Sequence, residues 1–170
     1  GRRASQSGYS KSHPGIPDFN ATLASVLKGA GYATAALVDN PNVAAQNGYG
    51  KGFDRYRETW QEKGLATEMD RTHAITGEAE AFLSAPPAGK PFFLWLHYVN
   101  PHAPYTPPPP FDSTFLDAAA ESGPRLKVVP GFHDGIFKEW AVPGKDRLGY
   151  YVAQYDGEIA TVDKEVGRVL

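Results

Sequence analysis

The 170-residue chain carries 17 Lys and Arg against 19 Asp and Glu, a formal net charge of -2, with 41% hydrophobic and 21% charged residues. That is the composition of a globular chain with a real core, and the charge balance excludes the basic footprint of a nucleic-acid or anionic-membrane binder. The absence of cysteine removes disulfides, thiolate metal sites and a cysteine nucleophile from these residues and leaves the redox compartment open, and no apolar run is long enough to span a bilayer.

Gly1 to Asp18, rich in Gly, Ser and basic residues, reads as an extended surface connection whose Arg2, Arg3 and Lys11 face either an anion or solvent. Gly1 follows no methionine and Leu170 falls inside a helical periodicity, the pattern expected of an internal piece of a longer protein. Asn20 is the predicted N-cap of a helix with Leu23, Val26, Leu27 and Ala30 on one buried face, stopped by Gly29 and Gly31. Tyr32 to Val38 reads as a buried strand that breaks at Asp39, Asn40, Pro41 and Asn42. Asx residues before proline are ordinary turn formers, and at a strand end Asp39 and Asn40 are also site candidates. Gly48 to Tyr56, GYGKGFDRY, lacks the spacing of a phosphate loop.

Thr67 and Asp70 predict a capping box that opens a helix with Ile75, Ala79, Phe82 and Leu83 on one face, interrupted only by Gly77 and ended by Pro86 and Pro87. His73 on that helix reads as a surface residue. The stretch Pro91 to Tyr105, PFFLWLHYVNPHAPY, follows. Its unalternating run Phe92 to Leu96 predicts a central strand buried on both faces of a mainly parallel sheet, so the fold class is α/β, with buried strands flanked by helices. Strand 32–38, the helix and strand 92–98 form a predicted βαβ crossover that points both polar strand ends, with Asn40 and His102, toward one rim.

Thr106 to Gly149 is a proline-rich insertion with a short helix expected near Phe115 to Glu121. The run Pro107 to Pro110 reads as a stiff loop wall and His133-Asp134-Gly135 as a turn. Val152, Tyr155, Ile159, Val162, Val166 and Val169 recur at steps of three and four, predicting an amphipathic helix packed along that stripe, with Asp156, Glu158, Asp163 and Glu165 on a solvated face.

His97, Asn100 and His102 gather where the strand ends and a loop stiffened by Pro101 and Pro104 begins, the edge at which open α/β sheets bind ligands. The two histidines admit three readings: metal ligands, an acid/base or anion-binding pair, or structural residues. The four-residue gap through Asn-Pro is not a helical pair and no carboxylate pair completes a coordination set. His102 is placed to donate a hydrogen bond to an oxyanion, with added charge as imidazolium, whereas His97 sits nearer the sheet. There is no GxSxG elbow, Walker A or dinucleotide fingerprint.

Three segments resemble the middle portion of a sulfatase, in the alkaline-phosphatase-like superfamily: NATLASVLKGAGYATAAL at Asn20 to Leu37, KPFFLWLHYVNPHAPYTPPPPF at Lys90 to Phe111, and YDGEIATVDKEVGRVL at Tyr155 to Leu170. Their order fits, as does GFDRY at Gly52 to Tyr56. The resemblance implies that residues 1–170 are an internal segment of a sulfatase catalytic domain, a partial alkaline-phosphatase/sulfatase-like fold. It assigns His102, in the PHAPY loop, to contact with the substrate sulfate, with His97 and Asn40 as secondary candidates.

It also implies a divalent cation, usually calcium, and a formylglycine-type nucleophile matured from a C/S-x-P-x-R segment; both fall outside this chain, which holds no catalytic or metal residues of its own. The implied substrates are sulfate-ester small molecules or sulfated glycans, and the implied setting is export to the periplasm, the extracellular space or a lysosome-like compartment. Many sulfatases carry Gly-Lys-x-His after the GY.TA strand, where this chain has Val38-Asp39-Asn40-Pro41, so those contributions do not transfer. Two other readings are a phosphoryl or phosphonate hydrolase or transferase of the same superfamily, and a binding domain that keeps the fold without its catalytic parts.

Overall fold

The structure is a computed structural model, described here over residues 15–131 and 135–170; the readings above for Arg2, Arg3, Lys11, His133 and Asp134 lie outside those residues. Two compact units are distinguished, one running to Tyr98 and one from Val99 to Arg168.

The first unit is built on a parallel three-stranded sheet of order β2-β1-β3, with β1 at Ala33–Val38, β2 at Arg55–Glu58 and β3 at Phe92–His97. The register runs from Ala33 opposite Phe92 to Val38 opposite His97, so β1 and β3 end together. The expected crossover is present: helix α2, Glu68–Ser84, connects toward β3 and opens with the predicted capping box, Thr67 and Asp70 each bonding the other's backbone N–H. Its Ile75 and Ala79 are fully buried and form a core with Leu37, against which Leu94, Leu96 and Tyr98 pack. Burying Leu37 and Ile75 contributes about 2 kcal/mol each from apolar area alone.

The opposite face of the sheet is aromatic, with Phe53 stacked on Phe93 at 5.7 Å and on Trp95 at 6.0 Å, and Tyr56 edge-on to Phe53. The Tyr56 hydroxyl donates to the Val43 carbonyl, and burial raises its pKa, helped by the nearby Glu58 and Tyr49.

The expectations for β3 and for the first helix are corrected here, and a strand is present that the sequence did not announce. The central strand is β1, buried along almost its whole length, while β3 lies beside it and is half-buried; the order β2-β1-β3 gives β1 a neighbour on each side. Strand β2 has no apolar signature to announce it, because Arg55 and Arg57 pair with Glu78, and Arg57 also with Glu62, giving a strand written in charges that are answered locally. Helix α1, Leu23–Gly29, is capped by Thr22 in a box with Ser25, not by Asn20. Leu23 and Val26 stand 64% and 58% exposed, and Ala24 is the buried residue. The Gly48–Tyr56 loop sets that face: Thr22 Oγ1 donates to the Lys51 carbonyl, and Gly52, at φ 89°, lies so close that a Cβ there would fall 2.1 Å from the Ser25 nitrogen.

Asp54 of the GFDRY stretch ties this loop to β1. Its carboxylate pairs with Lys28 at 2.8 Å and accepts from the Thr34 backbone N–H at 3.0 Å and hydroxyl at 3.1 Å. The bond from Lys28, then those from Thr34, hold its pKa down to about 2, from 3.8. A depressed carboxyl adds stability that is whole above its unfolded value and fades as pH falls through the folded one. Thermal melts should therefore show wild type losing more stability than Asp54→Asn as pH drops from 3.8 toward 2; parallel curves would show that the loop is held by other contacts.

The second unit is organised on the long helix α4, Leu148–Val169, with a short helix α3 at Phe111–Thr114 and a two-stranded parallel pair, β4 at Val128–Val129 and β5 at Ile136–Phe137. The helix expected near Phe115 to Glu121 is a 3-10 turn at Ala118–Glu121. The face of α4 is inverted from its prediction. Val152, Tyr155, Ile159 and Val166 of the apolar stripe are exposed, whereas Gln154, Glu158, Thr161 and Glu165 are buried. Of the four carboxylates, Asp163 is exposed as expected and Asp156 is half-buried, but Glu158 and Glu165 face inward. Glu165 is paired with Arg168, and Glu158 answers two donors of the loop described next.

Candidate functional site

The loop Asn100 to Thr106 carries the PHAPY sequence. Its peptide bonds Asn100–Pro101 and Ala103–Pro104 are cis, and the His102 N–H donates to the Val99 carbonyl at 3.0 Å, closing a turn. The His102 side chain is exposed, with its ring edge-on to Trp140 at 5.9 Å. Its Nδ1 lies 2.6 Å from the Ala103 carbonyl oxygen. A carbonyl can only accept, so Nδ1 must carry the hydrogen; Nε2 is then a lone pair in the neutral ring and a donor only in the imidazolium.

Both ends of this loop are fastened to one residue of α4. Glu158, 2% exposed, accepts from Asn100 Nδ2 at 2.6 Å through Oε2 and from the Thr106 backbone N–H at 2.9 Å through Oε1. Next to it, Gly157 brings the helix against the prolines: a Cβ there would fall 2.6 Å from the Phe111 carbonyl oxygen and 2.7 Å from Pro107 Cγ. Gln154, one turn earlier, donates to the Asp112 carbonyl at 2.9 Å. Pro107, the Phe111 carbonyl and the Asp112 carbonyl thus lie against the polar side of α4. Tyr105 meets Tyr155 edge-on at 5.5 Å, and burial, with Tyr155 adding, raises the pKa of its hydroxyl.

The secondary candidates belong to the first unit. Asn40 caps a 3-10 turn, its side chain accepting from the Asn42 N–H at 2.9 Å, which is the turn-forming use of that residue. Asp39 is buried at the end of β1, both carboxylate oxygens accepting from Arg71 Nε at 2.8 and 2.9 Å, and its N–H donates to the His97 carbonyl. The His97 ring lies edge-on to Trp95 on the aromatic side of the sheet, and its Nδ1 is buried with no hydrogen-bond partner among the described residues. His97 therefore supports the strand ends through its backbone, and its buried Nδ1 is left without a hydrogen bond among the described residues.

Glu158 and Gly157 escaped the sequence reading. The usable signal was the glycine: mid-helix glycine costs about 1 kcal/mol against alanine, and that cost calls for a packing reason. The carboxylate beside it then points the same way as the close contact.

Among the described residues no group of three or more His, Asp and Glu side chains is gathered that could hold a metal ion, so the divalent cation implied by the resemblance finds no ligand set here. No helix is long and apolar enough to cross a membrane.

Among curated proteins none matches. Two solved structures share the fold over 98% of this chain. One is the phosphonate monoester hydrolase of Agrobacterium radiobacter, with a TM-score of 0.67 and 16% identity over 46% of its length. The other is a protein solved with its substrate, D-glucosamine-2-N,6-O-disulfate, with a TM-score of 0.60 and 16% identity over 49% of its length. The chain spans about half the length of each, and identity this low shows the fold alone: α/β, with a parallel sheet flanked by helices. The sulfatase family profile matches residues 1–170, the whole of the sequence, and the chain belongs to the sulfatase family.

Proposed function

We propose that residues 1–170 are the internal segment of a catalytic domain that hydrolyses sulfate monoesters, and that His102 is their contribution to binding the sulfate group. The observation that carries this reading is the pinned loop: an exposed histidine whose Nδ1 is committed to the Ala103 carbonyl and whose Nε2, a donor to an anion in the imidazolium, meets no hydrogen-bond partner among the described residues. Cleavage of a sulfate ester builds negative charge on oxygen, and a fixed donor at that oxygen stabilises the transition state more than the ground state. The formylglycine-type nucleophile and the divalent cation, calcium in the resemblance, would come from residues outside this chain.

The likeness to a phosphonate monoester hydrolase supports a second reading, because sulfate and phosphonate esters present similar tetrahedral oxyanions. The test is to assay the full-length protein on aryl sulfate and aryl phosphonate monoesters under one set of conditions. A higher kcat/KM on the sulfate is expected, with no turnover by residues 1–170 alone. Preference for the phosphonate would establish the second reading, and no turnover of either by the full-length protein would favour a binding domain without catalysis.

A further inference from the structure

We propose that Glu158 is a positioning residue for His102, acting by clamping the two ends of its loop to helix α4. The proposal rests on the reading of His102 as an anion contact, and its geometry is independent of that reading. His102 lies two residues after Asn100 and four before Thr106, and these are the two groups that Glu158 holds, one through each carboxylate oxygen. The carboxylate is buried, so each bond is made away from competing water and an unanswered oxygen there would be costly. Both partners are donors, which is why the position takes a carboxylate: it offers two acceptors and no hydrogen.

Glutamine would keep one acceptor and set an NH2 against the Asn100 NH2 unless the latter turned over. Alanine would free both loop ends at once. Gly157 completes the arrangement, since any side chain there would push Pro107 and the Phe111 carbonyl away and lengthen the bond to Thr106. A residue acting this way touches neither substrate nor the reacting atoms; it fixes where the imidazole stands.

The experiment uses the full-length protein with Glu158→Ala, Glu158→Gln and the exchange pair Glu158→Gln with Asn100→Asp, each alone and with His102→Ala. Hydrogen exchange of the peptide spanning residues 99–106 reads the clamp directly, because the Thr106 amide is one of the clamped groups; the peptide over residues 150–165 reports whether the helix survives. Expected is faster exchange in the loop of Glu158→Ala with little change in the helix. Turnover of the aryl sulfate should fall about 10-fold or more in a wild-type background, the scale of a displaced catalytic group. In the His102→Ala background it should fall under about 2-fold, because the two residues act as one unit.

The exchange pair restores a donor–acceptor match and should recover both loop protection and turnover relative to Glu158→Gln. Unchanged loop exchange, or the same fold loss with and without His102, would overturn the proposal. If His102→Ala leaves turnover intact while Glu158→Ala loosens the loop, the clamp stands and the anion-contact role of His102 falls. Should Glu158→Ala not fold, Glu158→Gln and its exchange partner give the same comparison.

Discussion

Replacing His102 by alanine in the full-length protein should lower turnover of a sulfate ester by about 100-fold, the loss typical of removing one preorganised oxyanion donor. The fold should barely register the change. His102 is exposed, and its polar side-chain contact is to the carbonyl of the next residue, so the expected stability cost is about 0.5 kcal/mol, that of an ordinary surface substitution. A structural histidine would behave the other way round, with a lowered melting temperature and turnover that tracks only the folded fraction.

The hydrogen bond at Nδ1 adds a second check. With the hydrogen committed to the Ala103 carbonyl, Nε2 donates to an anion only as the imidazolium and turns a lone pair toward it when neutral. Competitive inhibition by inorganic sulfate, compared in wild type and His102→Ala, separates loss of anion binding from loss of catalysis: a weaker inhibition constant in the variant is expected, and an unchanged one would mean that His102 does not meet the anion.

How far the sequence carried this depends on where its information is local. The capping box at Thr67 and Asp70, the run of small and β-branched residues in β1 and the apolar run of β3 are short-range patterns, and each formed a helix or strand, although β3 lies beside the centre of the sheet and not at it. Strand β2 was invisible because its identity rests on partners far along the chain: Arg57 reaches Glu78 on α2, so a segment that reads as a charged loop is satisfied as a strand. The face of α4 failed for a related reason. Periodicity identifies a stripe and says that one side is apolar, but the side that turns inward was decided by Gly157, Glu158 and Gln154, each meeting a particular backbone or side-chain group in residues 100–112. The loop around His102 could be found from its prolines and histidines. The residue that holds it could not, because a glutamate on a helix looks the same whether water or Asn100 faces it.

The largest expected effect on stability lies at the end of β1. Arg71→Ala would leave the Asp39 carboxylate, 3% exposed, without the guanidinium that meets both its oxygens, and stranding one member of a buried pair costs about 3 kcal/mol. Arg71→Lys should recover only part of the loss, since a point charge does not reproduce the side-on bond of Nε to both oxygens. Removing both charges, as in Asp39→Asn with Arg71→Met, should cost less than Arg71→Ala alone, and urea midpoints of the three variants test that order. A cation committed to Asp39 contributes to the shape of the strand end, where the Asp39 N–H also meets the His97 carbonyl. If Arg71→Ala instead lowered turnover with the urea midpoint unchanged, the guanidinium would be an anion contact in its own right and Asp39 merely its anchor.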